Sequence, residues 1–141
     1  MRNLVLSAIF CSLAGVLPAQ SVEVRIKEGG QGCGPALRAT ASIAGAQVNL
    51  SLQLQGGFAN QFGFFVIGLQ KTQLDIPVYG CRMYLVPLVA ITVPTNAAGA
   101  ATLPLSASTA FAGTILAQAA SFRLTPNELF ATNSLEIEFK H

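Results

Sequence analysis

Apolar and polar residues alternate along three segments of the chain, residues 22–27, 47–55 and 134–139. In the second segment, Val48, Leu50, Leu52 and Leu54 are separated by asparagine, serine and glutamine. A period of two places successive side chains on opposite faces of a β-strand, so that one face becomes apolar and the other polar. The pattern therefore predicts three strands that each bury one face in a core.

Three further stretches have the composition of strands without this alternation. Residues 62–69 (FGFFVIGL) form a continuous apolar run rich in aromatic and β-branched residues, which is typical of a central strand covered on both faces. Residues 84–86 and 88–93 are also strand-like. Pro87 and Pro94 bound the second of these, because proline cannot donate to a sheet ladder.

The segment 92–105 (TVPTNAAGAATLPL) contains a turn signal. Asn96 can cap a turn with its side chain, and Gly99 can adopt the positive φ of a glycine bulge. A turn of this kind joins neighbouring antiparallel strands. We therefore expect residues 88–93 to pair with residues 100–105 as a hairpin.

Residues 107–124 fit two interpretations. The alanine-rich part, 110–120, is compatible with a short helix, whereas Thr114, Ile115 and Phe122 favour a strand. Elsewhere, strands follow one another through short turns without alternating helices. This order predicts an all-β fold, an antiparallel β-sandwich of the Greek-key or immunoglobulin-like type.

The first 20 residues have the layout of a secretory signal peptide. Arg2 precedes an apolar stretch at 4–17, and the small residue Ala19 offers a cleavage site. The stretch is too short to span a bilayer core of about 30 Å. Residues 1–19 are therefore predicted to be a signal peptide and residues 20–141 a single secreted, cell-surface or periplasmic domain, with no membrane span after cleavage.

Charge excludes one class of partner. The chain has 8 basic and 6 acidic residues, and charged residues make up 10% of it, against about 25% in an average protein. Nucleic-acid binding requires clustered lysine and arginine that displace counterions. No nucleic-acid partner is expected.

The cysteines indicate a disulfide. Cleavage removes Cys11 and leaves Cys33 and Cys81, and an even number in an exported chain favours a bridge. The alternative is a nucleophilic Cys81, which requires a nearby base or cation. Arg82 is adjacent, but neighbours along a strand point to opposite faces. The disulfide is the preferred interpretation.

Residues for catalysis or metal binding are scarce. The one histidine, His141, is the last residue, so it offers poor support for a catalytic triad or a zinc site. Asp75 is the one aspartate, and Glu136 and Glu138 share one face of a predicted strand. We therefore predict a non-enzymatic protein without metal or other cofactor. Tyr79 and Tyr84 flank Cys81, and together with Asp75 they are the candidate ligand face.

Five segments in order resemble a known group of domains: GQGCGPAL (30–37), GGFANQFGFFVIGL (56–69), YGCRMYLVP (79–87), TVPTNAAGAATLPL (92–105) and LFATNSLEIEF (129–139). They are similar to small exported β-sandwich domains of planctomycete bacteria, for which no activity is established. The resemblance implies export and architecture, and it supplies no catalytic residues. The sequence thus predicts a secreted structural or interaction domain whose partners are other envelope or extracellular proteins. The alternative is a carbohydrate-binding module.

Overall fold

The computed structural model describes residues 21–77 and 79–141, so the predicted signal peptide lies outside the described residues. Within these two ranges the chain forms strands and turns, and no helix there is long and apolar enough to cross a membrane. The strands are β1 (Glu23–Gly29), β2 (Ala36–Ala44), β3 (Gln47–Gln55), β4 (Phe62–Gly68), β5 (Lys71–Ile76), β6 (Cys81–Leu85), β7 (Val89–Pro94), β8 (Ala101–Ser108), β9 (Gly113–Arg123) and β10 (Glu128–Lys140).

All strand pairings are antiparallel, which confirms the all-β prediction at this level. A five-stranded sheet has the order β1-β10-β9-β4-β7, and a three-stranded sheet has the order β2-β3-β8. The remaining pair, β5 and β6, forms a separate two-stranded sheet, which we call the β5–β6 hairpin. The five-stranded sheet therefore has two edges, β1 and β7.

One apolar cluster joins the five-stranded and three-stranded sheets. Val48, Leu52 and Leu54 of β3 are fully buried, as the alternation predicted, and they share the cluster with Phe65 of β4 and Ile137 of β10. Burying a side chain of this size contributes about 1.5–3 kcal/mol. The long-range packing of these strands is what holds the two sheets together.

The helical interpretation of residues 110–120 is wrong, because most of them belong to strand β9. This strand lies between β10 and β4 and pairs with both. Ala117 and Ala119 are each 1% exposed and face the core cluster. Ladder hydrogen bonds on both sides and burial of these small side chains outweigh the helix propensity of alanine.

The predicted hairpin of residues 88–93 and 100–105 is also wrong, although its turn is present. Asn96 Oδ1 accepts hydrogen bonds from the N–H groups of Ala98 (2.9 Å) and Ala100 (3.0 Å), and Gly99 has a φ of 72°. The turn packs against Gly57, whose N–H donates to the Gly99 carbonyl at 2.9 Å. The chain passes from one sheet to the other here, so β7 pairs with β4 and β8 pairs with β3.

The prediction for residues 62–69 is confirmed in part. Strand β4 has neighbours on both sides, β9 and β7, and Phe65 is fully buried. Phe62, on the opposite face from Phe65, is 41% exposed, so the second face is not covered along its whole length. Residues 84 and 85 of the predicted strand 84–86 lie in β6.

Candidate functional site

A buried amide fixes the β5–β6 hairpin to the five-stranded sheet. Gln118 of β9 alternates with Ala117 and Ala119, which face the core, so its side chain points to the opposite, outer face of the sheet. Its Oε1 accepts the Tyr84 N–H at 2.9 Å. Its Nε2 donates to the carbonyl of Arg82 at 2.8 Å and to that of Thr132 at 2.9 Å. The hairpin therefore covers part of the outer face without joining the sheet.

The disulfide between Cys33 and Cys81 attaches the same hairpin to the glycine-rich loop at 30–35. The Cα atoms of the two cysteines are 5.5 Å apart, and 48 positions separate them in sequence. Cys33 N–H donates to the Ala131 carbonyl at 2.9 Å, which anchors the loop to β10. The predicted bridge is confirmed, so Cys81 is not a free nucleophile. A disulfide is compatible with an oxidising extracellular environment.

The residues of the predicted ligand face have separate places on the hairpin. Tyr84 donates its hydroxyl hydrogen to the Gln31 carbonyl at 3.0 Å and accepts the Gln31 N–H at 3.1 Å. Asp75 accepts a hydrogen bond from Arg82 Nε at 2.7 Å. Tyr79 lies in the turn between β5 and β6, where its N–H bonds the Ile76 carbonyl. Ligand binding by these residues stays a prediction.

Tyr84 lines a cleft of about 310 Å³ on the outer face of the sheet, between the β5–β6 hairpin, the end of β1 and the middle of β10. We call it the hairpin cleft. Asp75 and Tyr79 are not among its lining residues. The hairpin supplies Lys71, Thr72, Gln73 and Tyr84, the glycine-rich loop supplies Gly30, and strand β10 supplies Glu136.

An ion pair crosses the hairpin cleft. Lys71 Nζ lies 2.6 Å from Glu136 Oε2. The hydrogen bond from Lys71 lowers the pKa of Glu136 below its ordinary value of 4.5, so the carboxylate stays charged at neutral pH. The two charges compensate each other. In the part of the chain that the structure describes, no three His, Cys, Asp or Glu residues are grouped so that they could hold a metal ion.

The second surface feature is the free edge of β7. Thr95 N–H donates to the Gln61 carbonyl at 2.9 Å, and this bond identifies which residue pairs of the β4–β7 ladder are hydrogen-bonded. Because hydrogen-bonded residues alternate in an antiparallel pair, Ala90 and Thr92 direct their backbone N–H and C=O groups away from β4. Residues 88–94 contain no charged side chain.

Exposed apolar residues surround the start of this edge. Leu69 and Leu88 are 60% and 65% exposed, and Val86 and Val89 are 41% and 50% exposed. Leu69, Val86 and Leu88 line one shallow depression. We call these four residues the apolar rim. Their exposure is characteristic of interaction surfaces when such residues are contiguous.

Two of the other strand edges, β1 and β2, carry protection that β7 lacks. At the opposite edge of the same sheet, β1 carries four charged side chains, those of Glu23, Arg25, Lys27 and Glu28. At the edge strand β2, the side-chain amide of Asn133 accepts the Leu37 N–H at 2.9 Å and donates to the Leu37 carbonyl at 3.2 Å. Charged side chains on β1 and the occupied backbone groups of Leu37 on β2 hinder strand addition, and β7 has neither feature along 88–94.

Sequence reasoning did not single out Gln118 or the backbone of Ala90 and Thr92. The uncharged run between Pro87 and Pro94 was the one signal for the β7 edge, and it was used only to place a strand. No protein-family model matches the chain, and neither a curated protein nor a solved structure matches it.

Proposed function

We propose that this chain is an exported, non-enzymatic interaction domain that accepts a β-strand from another extracellular or envelope protein at the β7 edge. The observation that carries the proposal is the pair of outward-facing backbone groups at Ala90 and Thr92 on an uncharged edge. Strand addition of this kind uses main-chain hydrogen bonds for affinity and side-chain contacts for specificity.

The edge defines the chemistry of the partner. Ala90 and Thr92 each offer one donor and one acceptor, so a partner strand gains four backbone hydrogen bonds, each worth about 0.5–1.5 kcal/mol. The apolar rim lies beside the first residues of β7 and favours apolar side chains on the incoming strand. Residues 88–94 carry no charge, so a charged residue on the partner strand would find no opposite charge there. An extended, uncharged, largely apolar segment therefore fits best.

We also propose an architecture and an export route for the domain. The five-stranded and three-stranded sheets face each other as a Greek-key, immunoglobulin-like β-sandwich. Their shared core and the repeated crossings of the chain between them support this arrangement. Residues 1–19 act as a signal peptide, and residues 20–141 are the exported domain. The resemblance to exported planctomycete domains and the disulfide support this setting.

Site-specific photo-crosslinking in the source organism tests the proposal. A photoreactive benzoylphenylalanine replaces Thr92 on the β7 edge, and in a matched control it replaces the exposed Thr40 on edge strand β2. We expect one crosslinked protein species from position 92 and none from position 40. Crosslinks to the same protein from both positions, or none from position 92, would contradict docking at β7.

A second candidate function is carbohydrate binding, which the hairpin cleft favours. An aromatic ring, an amide and a charged pair line one concave site there, and the site is separate from the β7 edge. Concave sites with a few polar groups are where small ligands bind.

A further inference from the structure

We propose that the hairpin cleft binds one neutral sugar ring, with Tyr84 as the platform and Gln73, Lys71 and Glu136 as hydrogen-bonding partners. This proposal rests on carbohydrate binding as the second candidate function. It is independent of strand addition at β7.

Size and shape suit a ligand of this kind. The cleft volume of about 310 Å³ lies at the lower end of the roughly 300–1,000 Å³ of small-molecule sites. Its apolar wall includes Leu116 of β9, and its open side is lined by the polar residues of β5. A pyranose has the same division, because its C–H groups form apolar faces and its hydroxyl groups lie around the edge.

Tyr84 is held in place before any ligand arrives. Both backbone groups of Gln31 hydrogen-bond to its hydroxyl, and its ring packs so closely on Gly30 that a Cβ there would overlap the ring. A fixed aromatic ring loses little conformational entropy when a ligand packs on it. Gly30 therefore has two roles, since it also lines the cleft without a side chain that would fill it.

An irregularity in β5 places two polar residues at the hairpin cleft. The β5–β6 register shifts between Lys71 and Leu74, so Thr72 and Gln73 interrupt the regular ladder. Both residues line the cleft. A glutamine amide can donate to one hydroxyl group and accept from another, which matches the edge of a sugar.

The charges favour a neutral ligand. Lys71 and Glu136 neutralise each other at 2.6 Å, and no other charged residue lines the cleft. A phosphate or carboxylate would approach the Glu136 carboxylate and would compete with it for Lys71. A sugar hydroxyl can instead donate to Glu136 and accept from Lys71 while the pair stays intact.

The test is an NMR titration of the ¹⁵N-labelled domain with glucose, galactose, mannose and N-acetylglucosamine. Gln73→Ala removes a lining amide. Gln70→Ala is the matched control, because Gln70 is exposed, precedes the same hairpin and does not line the cleft. Both substitutions remove exposed side chains, so the fold is retained.

At least one sugar should shift the amide signals of residues 29–31, 71–73 and 84, with a Kd of about 1 mM or below. Gln73→Ala should weaken binding about threefold to tenfold, which corresponds to one lost hydrogen bond, and Gln70→Ala should leave it unchanged. No shift with any of the four sugars, or equal binding by both variants, overturns the proposal. Thr92→Lys should bind sugar like the wild type, because position 92 lies on the β7 edge and does not line the cleft. Absence of sugar binding would therefore leave the proposed docking of a strand at β7 unaffected.

Discussion

Removal of the Cys33–Cys81 disulfide should destabilise the domain by about 4 kcal/mol. The change is the double substitution Cys33→Ala with Cys81→Ala. Its effect follows from the 48 positions that the bridge spans. In the chain-entropy model, closing a loop of that length removes about 13–14 cal/mol/K of entropy from the unfolded chain, or about 4 kcal/mol at 25 °C. Domains of this size have a total stability of about 5–15 kcal/mol, so the loss is a large fraction.

Urea denaturation followed by circular dichroism measures this loss. With an m-value of about 2 kcal/mol/M, the transition midpoint should fall by about 2 M. Wild-type protein treated with a thiol reductant is the control, because it loses the covalent bond and keeps the cysteine side chains. Both samples should lose similar stability. A loss below about 1 kcal/mol in both would refute the reasoning, since the loop constraint would then contribute little.

Three further substitutions test the packing and electrostatics. Gly99→Ala should cost more than about 2 kcal/mol by thermal denaturation, because Gly99 has a φ of 72° and a Cβ there would overlap the Gly57 carbonyl oxygen. Gly45→Ala is the control, with a φ of 59° and open space around it, and it should cost about 1 kcal/mol. Equal losses would count against the contact with Gly57. Gln118→Leu should cost about 3 kcal/mol and increase hydrogen exchange in the β5–β6 hairpin, because three backbone groups lose their partner. Unchanged exchange would argue against Gln118 as the residue that fixes the hairpin to the sheet. The lowered pKa of Glu136 gives stability that is present above pH 4.5 and is lost as the pH falls through the folded-state pKa. Lys71→Met should reduce this acid-dependent loss by up to about 1 kcal/mol, as measured by chemical denaturation at several pH values. An identical pH profile for the variant and the wild type would contradict the ion pair.

The sequence predicted strands best where one face is buried and the other is exposed. Strand β3 matches its predicted bounds because its leucines alternate strictly with polar residues. Strand β10 begins earlier than predicted, at Glu128, because a register shift between Ala131 and Ser134 breaks the alternation. Strand β2 was not predicted, since its alanines, Thr40 and Ser42 give little contrast and its second half is exposed on both faces.

Pairing and site geometry were less accessible from sequence. Asn96 and Gly99 specify a local turn, but these residues do not reveal that the chain changes sheets there. The change of sheet is accompanied by a contact with Gly57, which is far away in sequence. Tyr84 was singled out beside Cys81, and the structure adds Lys71 and Glu136 from two strands whose proximity no spacing reveals. Glu136 had the pattern of an ordinary solvated side chain, and its partner lies on the β5–β6 hairpin.

The central claim is that a partner strand docks on the β7 edge. The most direct test is to measure the affinity of the partner identified by crosslinking for three forms of the purified domain. The forms are the wild type, Thr92→Lys and the control Thr40→Lys, each measured by calorimetry. A lysine at position 92 places a charge beside the backbone groups that the partner strand would pair with. We predict that Thr92→Lys weakens binding at least tenfold while Thr40→Lys binds like the wild type. Equal affinity for all three forms would contradict the account.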